Sequence, residues 1–74
     1  MQKVVLEIRA GTGGDEAAIF AGDLARMYQK YSLSRGWKFH IVDSHETSLN
    51  GFKSFVARLE GENIYSDLKQ ESGG

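Results

Sequence analysis

The chain has 74 residues, a formal net charge of −1 at pH 7, no cysteine and nine glycines. That length allows one small domain, and a fold of this size buries only about 60% of its unfolded surface. Without cysteine there is no disulfide and no thiolate metal site, and the near-balance of charge argues against a broad basic surface for nucleic-acid phosphates.

The opening residues show no secretory signal, because Glu7 breaks the apolar run too early, and no stretch approaches membrane-spanning length. A soluble, cytoplasmic protein is expected, with no membrane partner. Val4, Leu6 and Ile8 alternate with Val5, Glu7 and Arg9, which predicts a half-buried strand. Over residues 15–34 the period changes. Phe20, Leu24, Met27, Tyr28 and Tyr31 recur at helical spacing and form one apolar stripe, expected to face the core. Ala17, Ala21 and Ala25 widen it with small residues that let a helix sit close to a sheet. Thr12 or Asp15 is the expected cap at the start, and Gly36, after Arg35, stands where a C-terminal capping glycine belongs.

Trp37, Phe39 and Ile41 alternate with Lys38, His40 and Val42 as a second strand with Trp37 in the core. Residues 43–50 read as polar and turn-rich, and Asn50-Gly51 is a turn signal. Phe55, Ala57 and Leu59 mark a third strand that Gly61 ends, and residues 62–69 read as a short helix. Glu71, Ser72, Gly73 and Gly74 read as a loop that looks cut rather than finished. The order predicts an α+β two-layer sandwich, with one long helix on a small, mostly antiparallel sheet and a short helix at the end.

The chemistry concentrates where the first strand meets the long helix, at Gly11, Thr12, Gly13, Gly14, Asp15 and Glu16. Phosphate binding is disfavoured. No lysine follows the glycines, Glu16 stands where a dinucleotide fingerprint needs its third glycine, and two acids would repel an anion. A plain capped turn explains the acids but not three glycines together. Contact with a neutral polar ligand is the third reading. Glycine N–H and C=O groups approach closely, and the Glu16 carboxylate accepts from a ring N–H such as that of a pyrimidine. These residues alone leave the last two readings open.

Other constellations are weaker. His40 and His45 lie five apart, on opposite faces of a regular strand, so no metal site is expected. Ser44-His45-Glu46 are neighbours in sequence and do not make a hydrolytic triad. Arg9, Lys38, Lys53 and Arg58 are taken as a solvated sheet face.

Glu7-Ile8-Arg9-Ala10-Gly11-Thr12-Gly13-Gly14-Asp15-Glu16-Ala17-Ala18 resembles the class I peptide chain release factors of bacteria and organelles. So do Asp23-Leu24-Ala25-Arg26-Met27-Tyr28, Arg35-Gly36-Trp37, Asp43-Ser44-His45-Glu46-Thr47 and Glu71-Ser72-Gly73-Gly74. The Arg-Ala-Gly-Thr-Gly-Gly wording is closer to the members that read UAA and UAG than to the UGA-reading sibling.

The resemblance implies translation termination on the ribosome, with the helix tip at the small-subunit decoding centre. Gly13 and Glu16 would contact the first uridine of the mRNA stop codon, with Gly11, Thr12 and Gly14 beside them. It also implies that residues 1–74 are part of a codon-recognition domain, ending before the family's Pro-x-Thr loop and its Gly-Gly-Gln motif. The chain would then have no catalytic residue, no cofactor, and the rest of its own polypeptide as a partner. It would not be an enzyme by itself. Lys69-Gln70 and Leu49-Asn50-Gly51 depart from the family's wording. An isolated piece with open sheet edges is expected to be of low stability or to self-associate. The alternative is a free-standing protein-interaction domain derived from the family.

Overall fold

The computed structural model describes residues 1–71, without the side chains of residues 70 and 71. The expected loop at Ser72, Gly73 and Gly74 lies outside the described residues. The chain runs β1 (Gln2–Arg9), α1 (Gly14–Ser34), β2 (Lys38–Glu46), a 3-10 turn (Ser48–Asn50), β3 (Phe52–Gly61) and α2 (Ile64–Glu71). The three strands form one antiparallel sheet in the order β1-β3-β2. The long helix crosses between the two edge strands, and β3 fills the slot between them. This is the predicted α+β architecture.

The register sorts side chains between the two faces of the sheet. Leu6 lies opposite Ala57, Ile8 opposite Phe55 and Phe39 opposite Leu59. These residues line the covered face, where Ile8, Phe55, Ala57, Leu59, Trp37 and Ile64 are buried with Ala21 and Ala25 of α1. Glu7, Arg9, Arg58, Glu60, Lys38 and His40 share the other face by the same register. There the charges pair locally, Arg9 with Glu7 at 3.0 Å and Arg58 with Glu60 at 3.2 Å. The predicted basic group is thus a solvated surface on which Arg9 and Arg58 are ion-paired, while Lys53 sits in a bulge.

Three expectations need correction. First, only part of the predicted α1 stripe faces the core: Leu24, Tyr28 and Tyr31 pack against it, with Ala21 and Ala25 buried as expected, but the rest of the stripe does not. Phe20 is 64% exposed and Met27 43%, while Ala18, Ala21, Gly22, Ala25 and Ser32 are buried. Small residues win this contact because the helix lies close to its neighbours. A Cβ on Gly22 would stand 2.6 Å from the Asn50 carbonyl oxygen in the β2–β3 turn. Second, β2 begins after Trp37 and continues to Glu46, through residues expected to turn. Its register shifts between Ile41 and Asp43, leaving Val42 as an extra residue, and again between His45 and Glu46. Ile41 is 56% exposed at this irregular edge. Third, neither Thr12 nor Asp15 caps α1. Gly13 is the N-cap and no side chain bonds to it.

The other end of α1 closes as predicted. Gly36 has φ +78, and the N–H of Gly36 donates to the Leu33 carbonyl at 3.1 Å. The N–H of Trp37 donates to the Ser32 carbonyl at 2.9 Å, completing a Schellman motif. The Trp37 ring packs edge-on against Tyr31 at 5.5 Å, and its Nε1–H donates to the Glu62 carbonyl at 2.9 Å. Arg35 reaches α2, where its Nε donates to Asp67 at 2.8 Å. That hydrogen bond, with the attraction of the Asp67 charge, raises the Arg35 guanidinium further above its already high ordinary pKa.

Candidate nucleic-acid interface

The strand-to-helix loop is built by its backbone. The N–H of Ala10 donates to the Lys53 carbonyl at 3.0 Å, which ties the loop's base to the bulged start of β3. Gly11 and Gly14 both have φ +72, a left-handed conformation that costs an ordinary residue about 1–2 kcal/mol. Gly13 is needed for a different reason, since a Cβ there would stand 2.5 Å from the Cβ of Ala17. The plain-turn reading therefore accounts for all three glycines, which capping alone did not.

The helix end also gives a general reason for the acids, but it leaves their carboxylates open to a ligand. Residues 11–16 are all exposed. Asp15 and Glu16 occupy the first turn of α1, where the helix dipole favours negative charge. Among the described residues, neither carboxylate has a hydrogen-bond or ion-pair partner. The first turn also keeps N–H groups without intrahelical acceptors. The tip thus offers donors and a carboxylate acceptor side by side, the set that a ligand with an N–H flanked by carbonyls complements. All five predicted residues, Gly11, Thr12, Gly13, Gly14 and Glu16, sit together on this tip.

A shallow concavity of about 490 Å³ lies beside the loop on the uncovered sheet face. Its lining carries Arg9, Lys53 and His45 but also Glu7 and Asp43, so it has no strong preference for an anion. His40 and His45 fall on the same face, not on opposite ones. They lie opposite Arg58 and Ser54, because the extra residue Val42 resets the alternation. Their neighbours are Glu60 at 3.8 Å and Asp43 at 3.5 Å. Among the described residues no group of three His, Asp or Glu side chains is placed to hold a metal ion. Ser44, opposite Phe55, points to the covered face while His45 points away, so Ser44-His45-Glu46 does not converge. No helix among the described residues is long and apolar enough to cross a membrane.

The family described as the PCRF domain matches residues 1–74. The chain belongs to this family. It is 61% identical over 69 residues to peptide chain release factor 1 of Ruegeria pomeroyi, which covers 93% of the chain. Identity to the release factor 1 proteins of Hydrogenobaculum sp. and Carboxydothermus hydrogenoformans is 56% and 57%, each over 72 residues and 97% of the chain. The chain spans 20% of the length of each of these three relatives. The match with release factor 1 agrees with the reading of the Arg-Ala-Gly-Thr-Gly-Gly wording as the UAA/UAG type.

Proposed function

We propose that this PCRF domain takes part in translation termination in the cytoplasm, by reading UAA and UAG stop codons at the decoding centre of the small ribosomal subunit. On this reading the α1 tip meets the first base, with Glu16 and the backbone of Gly13 as the contacts and Gly11, Thr12 and Gly14 shaping the approach. The observation that carries it is the Glu16 carboxylate, exposed and, among the described residues, without a partner in the first turn of a long helix, after a loop whose glycines are each explained locally.

The chemistry gives a reason for uridine. Uracil has a ring N3–H between two carbonyls. The carboxylate accepts from the N–H, and a backbone N–H donates to a carbonyl. Cytosine presents a bare acceptor nitrogen at N3, which would face the carboxylate without a proton between them. A site built to pair a donor rejects the analogue that lacks it. Ester hydrolysis is then the work of parts of the factor outside the chain. The domain is a reader rather than an enzyme, and it needs neither metal nor cofactor for this contact.

The test uses the full-length factor carrying Glu16→Gln, with peptide release measured on ribosomes programmed with UAA or CAA. A hydrogen bond to a charged group contributes about 1.5–3 kcal/mol, so kcat/KM at UAA falls about 10- to 100-fold. The amide both donates and accepts, so discrimination against CAA narrows. Unchanged release at UAA would overturn the assignment. Gly13→Val is a poorer probe, because any side chain there collides with Ala17.

A further inference from the structure

The shaft of α1 rests on the turn at Ser48–Asn50 and on the glycine that follows it. Leu49 and Asn50 have φ +62 and +60, two left-handed residues in succession, as in a type I′ turn. Asparagine tolerates that conformation better than most side chains do. The next position admits only glycine, since a Cβ on Gly51 would stand 2.7 Å from the Ala18 carbonyl carbon and 2.7 Å from Thr47 Oγ1. The turn therefore selects Asn-Gly on steric grounds, and that dipeptide carries a reaction of its own. Asn50 is exposed, and among the described residues its side-chain amide has no hydrogen-bond partner. The Gly51 N–H beside it donates to the Ser48 carbonyl at 3.4 Å, longer than an ordinary hydrogen bond. No Cβ at Gly51 shields its nitrogen.

We propose that Asn50 is a site of spontaneous deamidation, and that the rearranged product unseats the long helix. Hydroxide takes the Gly51 N–H proton, and the nitrogen attacks the side-chain carbonyl carbon of Asn50. A C–N bond forms, the bond to the amide nitrogen breaks, and ammonia leaves with a proton from water, which restores the hydroxide. The product is a five-membered succinimide, which a second water opens at either carbonyl. One opening gives aspartate on an unchanged main chain. The other gives isoaspartate, in which the chain runs through the former side chain and gains a methylene, and the former main-chain carbonyl becomes a carboxylate. The aspartate form keeps the turn, where Arg26 Nη1 donates to the carbonyl of residue 50 at 3.2 Å. The isoaspartate form has no room. A Cβ on Gly22 would already stand 2.6 Å from the Asn50 carbonyl oxygen and 3.4 Å from the Gly51 Cα, so an added backbone methylene pushes the turn off the helix.

Asn63 supplies a control in the same molecule. It too is exposed and left-handed, with φ +61, but Ile64 follows it, and that branched, buried side chain hinders its nitrogen. The experiment ages the full-length factor at mildly alkaline pH and maps its peptides by mass spectrometry, resolving asparagine, aspartate and isoaspartate at both positions. Asn50 should convert about tenfold or more faster than Asn63, a barrier lower by about 1.4 kcal/mol or more. The rate should rise with pH, and Asn50→Gly, which suits the left-handed turn, should remove the product. Conversion of Asn50 no faster than that of Asn63 would overturn the proposal, because the turn would then hold the Gly51 nitrogen out of reach. In urea the isoaspartyl protein should unfold this domain at a lower concentration than unaged protein does, while freshly prepared Asn50→Asp unfolds where the parent does. An isoaspartyl form as stable as the parent would overturn the effect on the helix. Both readouts are taken without ribosomes, so a failure of codon reading leaves them unchanged.

Discussion

The two ends of α1 are built by opposite means. At its C-terminal end Gly36, Trp37, Tyr31, Ser32 and Arg35 tie the helix to α2 and to the end of β3. At its N-terminal end no side chain caps the helix, residues 11–16 are exposed, and the hydrogen bond seen there among the described residues is from Ala10 to the Lys53 carbonyl, just before the loop. Gly51, beneath Ala18, and Gly22, beneath Asn50, keep the shaft against the β2–β3 turn. A helix is stiff, so fastening one end and the shaft aims the other. The tip can spend its surface on a partner because its placement does not depend on contacts of its own.

Breaking the fastened end should cost the most. Trp37→Ala removes a buried ring, its contact with Tyr31 and the bond to the Glu62 carbonyl, and a loss of about 3–5 kcal/mol is expected. That is a large share of the about 5–15 kcal/mol typical of native domains, and urea unfolding of the full-length factor should show it as a separate, early transition. Gly36→Ala keeps the fold and costs about 1–2 kcal/mol by forcing a Cβ into the left-handed region. Asp67→Asn should lower the melting temperature less than Gly36→Ala does. The difference from the parent should shrink in 1 M salt, because the pair with Arg35 is partly exposed and screened. An equal loss at both salt concentrations would show that Asp67 acts through the geometry of α2 and not through charge.

The same contrast separates what was legible in the sequence from what was not. The fastened end was readable, because a glycine after the last helical turn and an aromatic beside it carry their reasons locally. The elements were readable for the same reason. The rotation of α1 was not. Periodicity finds the large residues and the alanines beside them, of which Leu24, Tyr28 and Tyr31 do meet the core, but only the tight fit of the β2–β3 turn against Gly22 turns the helix far enough to leave Phe20 and Met27 outside. The pairing of His40 and His45 on one face was hidden by Val42, whose extra place in β2 leaves no trace in an alternation of two. At the tip the glycines and Glu16 stood out. Their reasons, two positive φ values and one close approach, needed the backbone. The ligand came from resemblance alone, since a donor beside an acceptor fits many partners.

The smallest expected effect on stability is the most useful at the free end. Asp15 and Glu16 share the first turn, the exposure and the field of the helix dipole, and that field favours each carboxylate by about 0.3–1 kcal/mol. If the acids served the helix alone, Asp15→Asn and Glu16→Gln would be equivalent in every assay. The codon-contact reading makes them equivalent in unfolding, with each shift within about 0.5 kcal/mol, and unequal in release. Only Glu16→Gln should then slow termination at UAA. Two variants with the same stability and different release rates would locate the function in a single carboxylate. Equal release rates would return both acids to the helix.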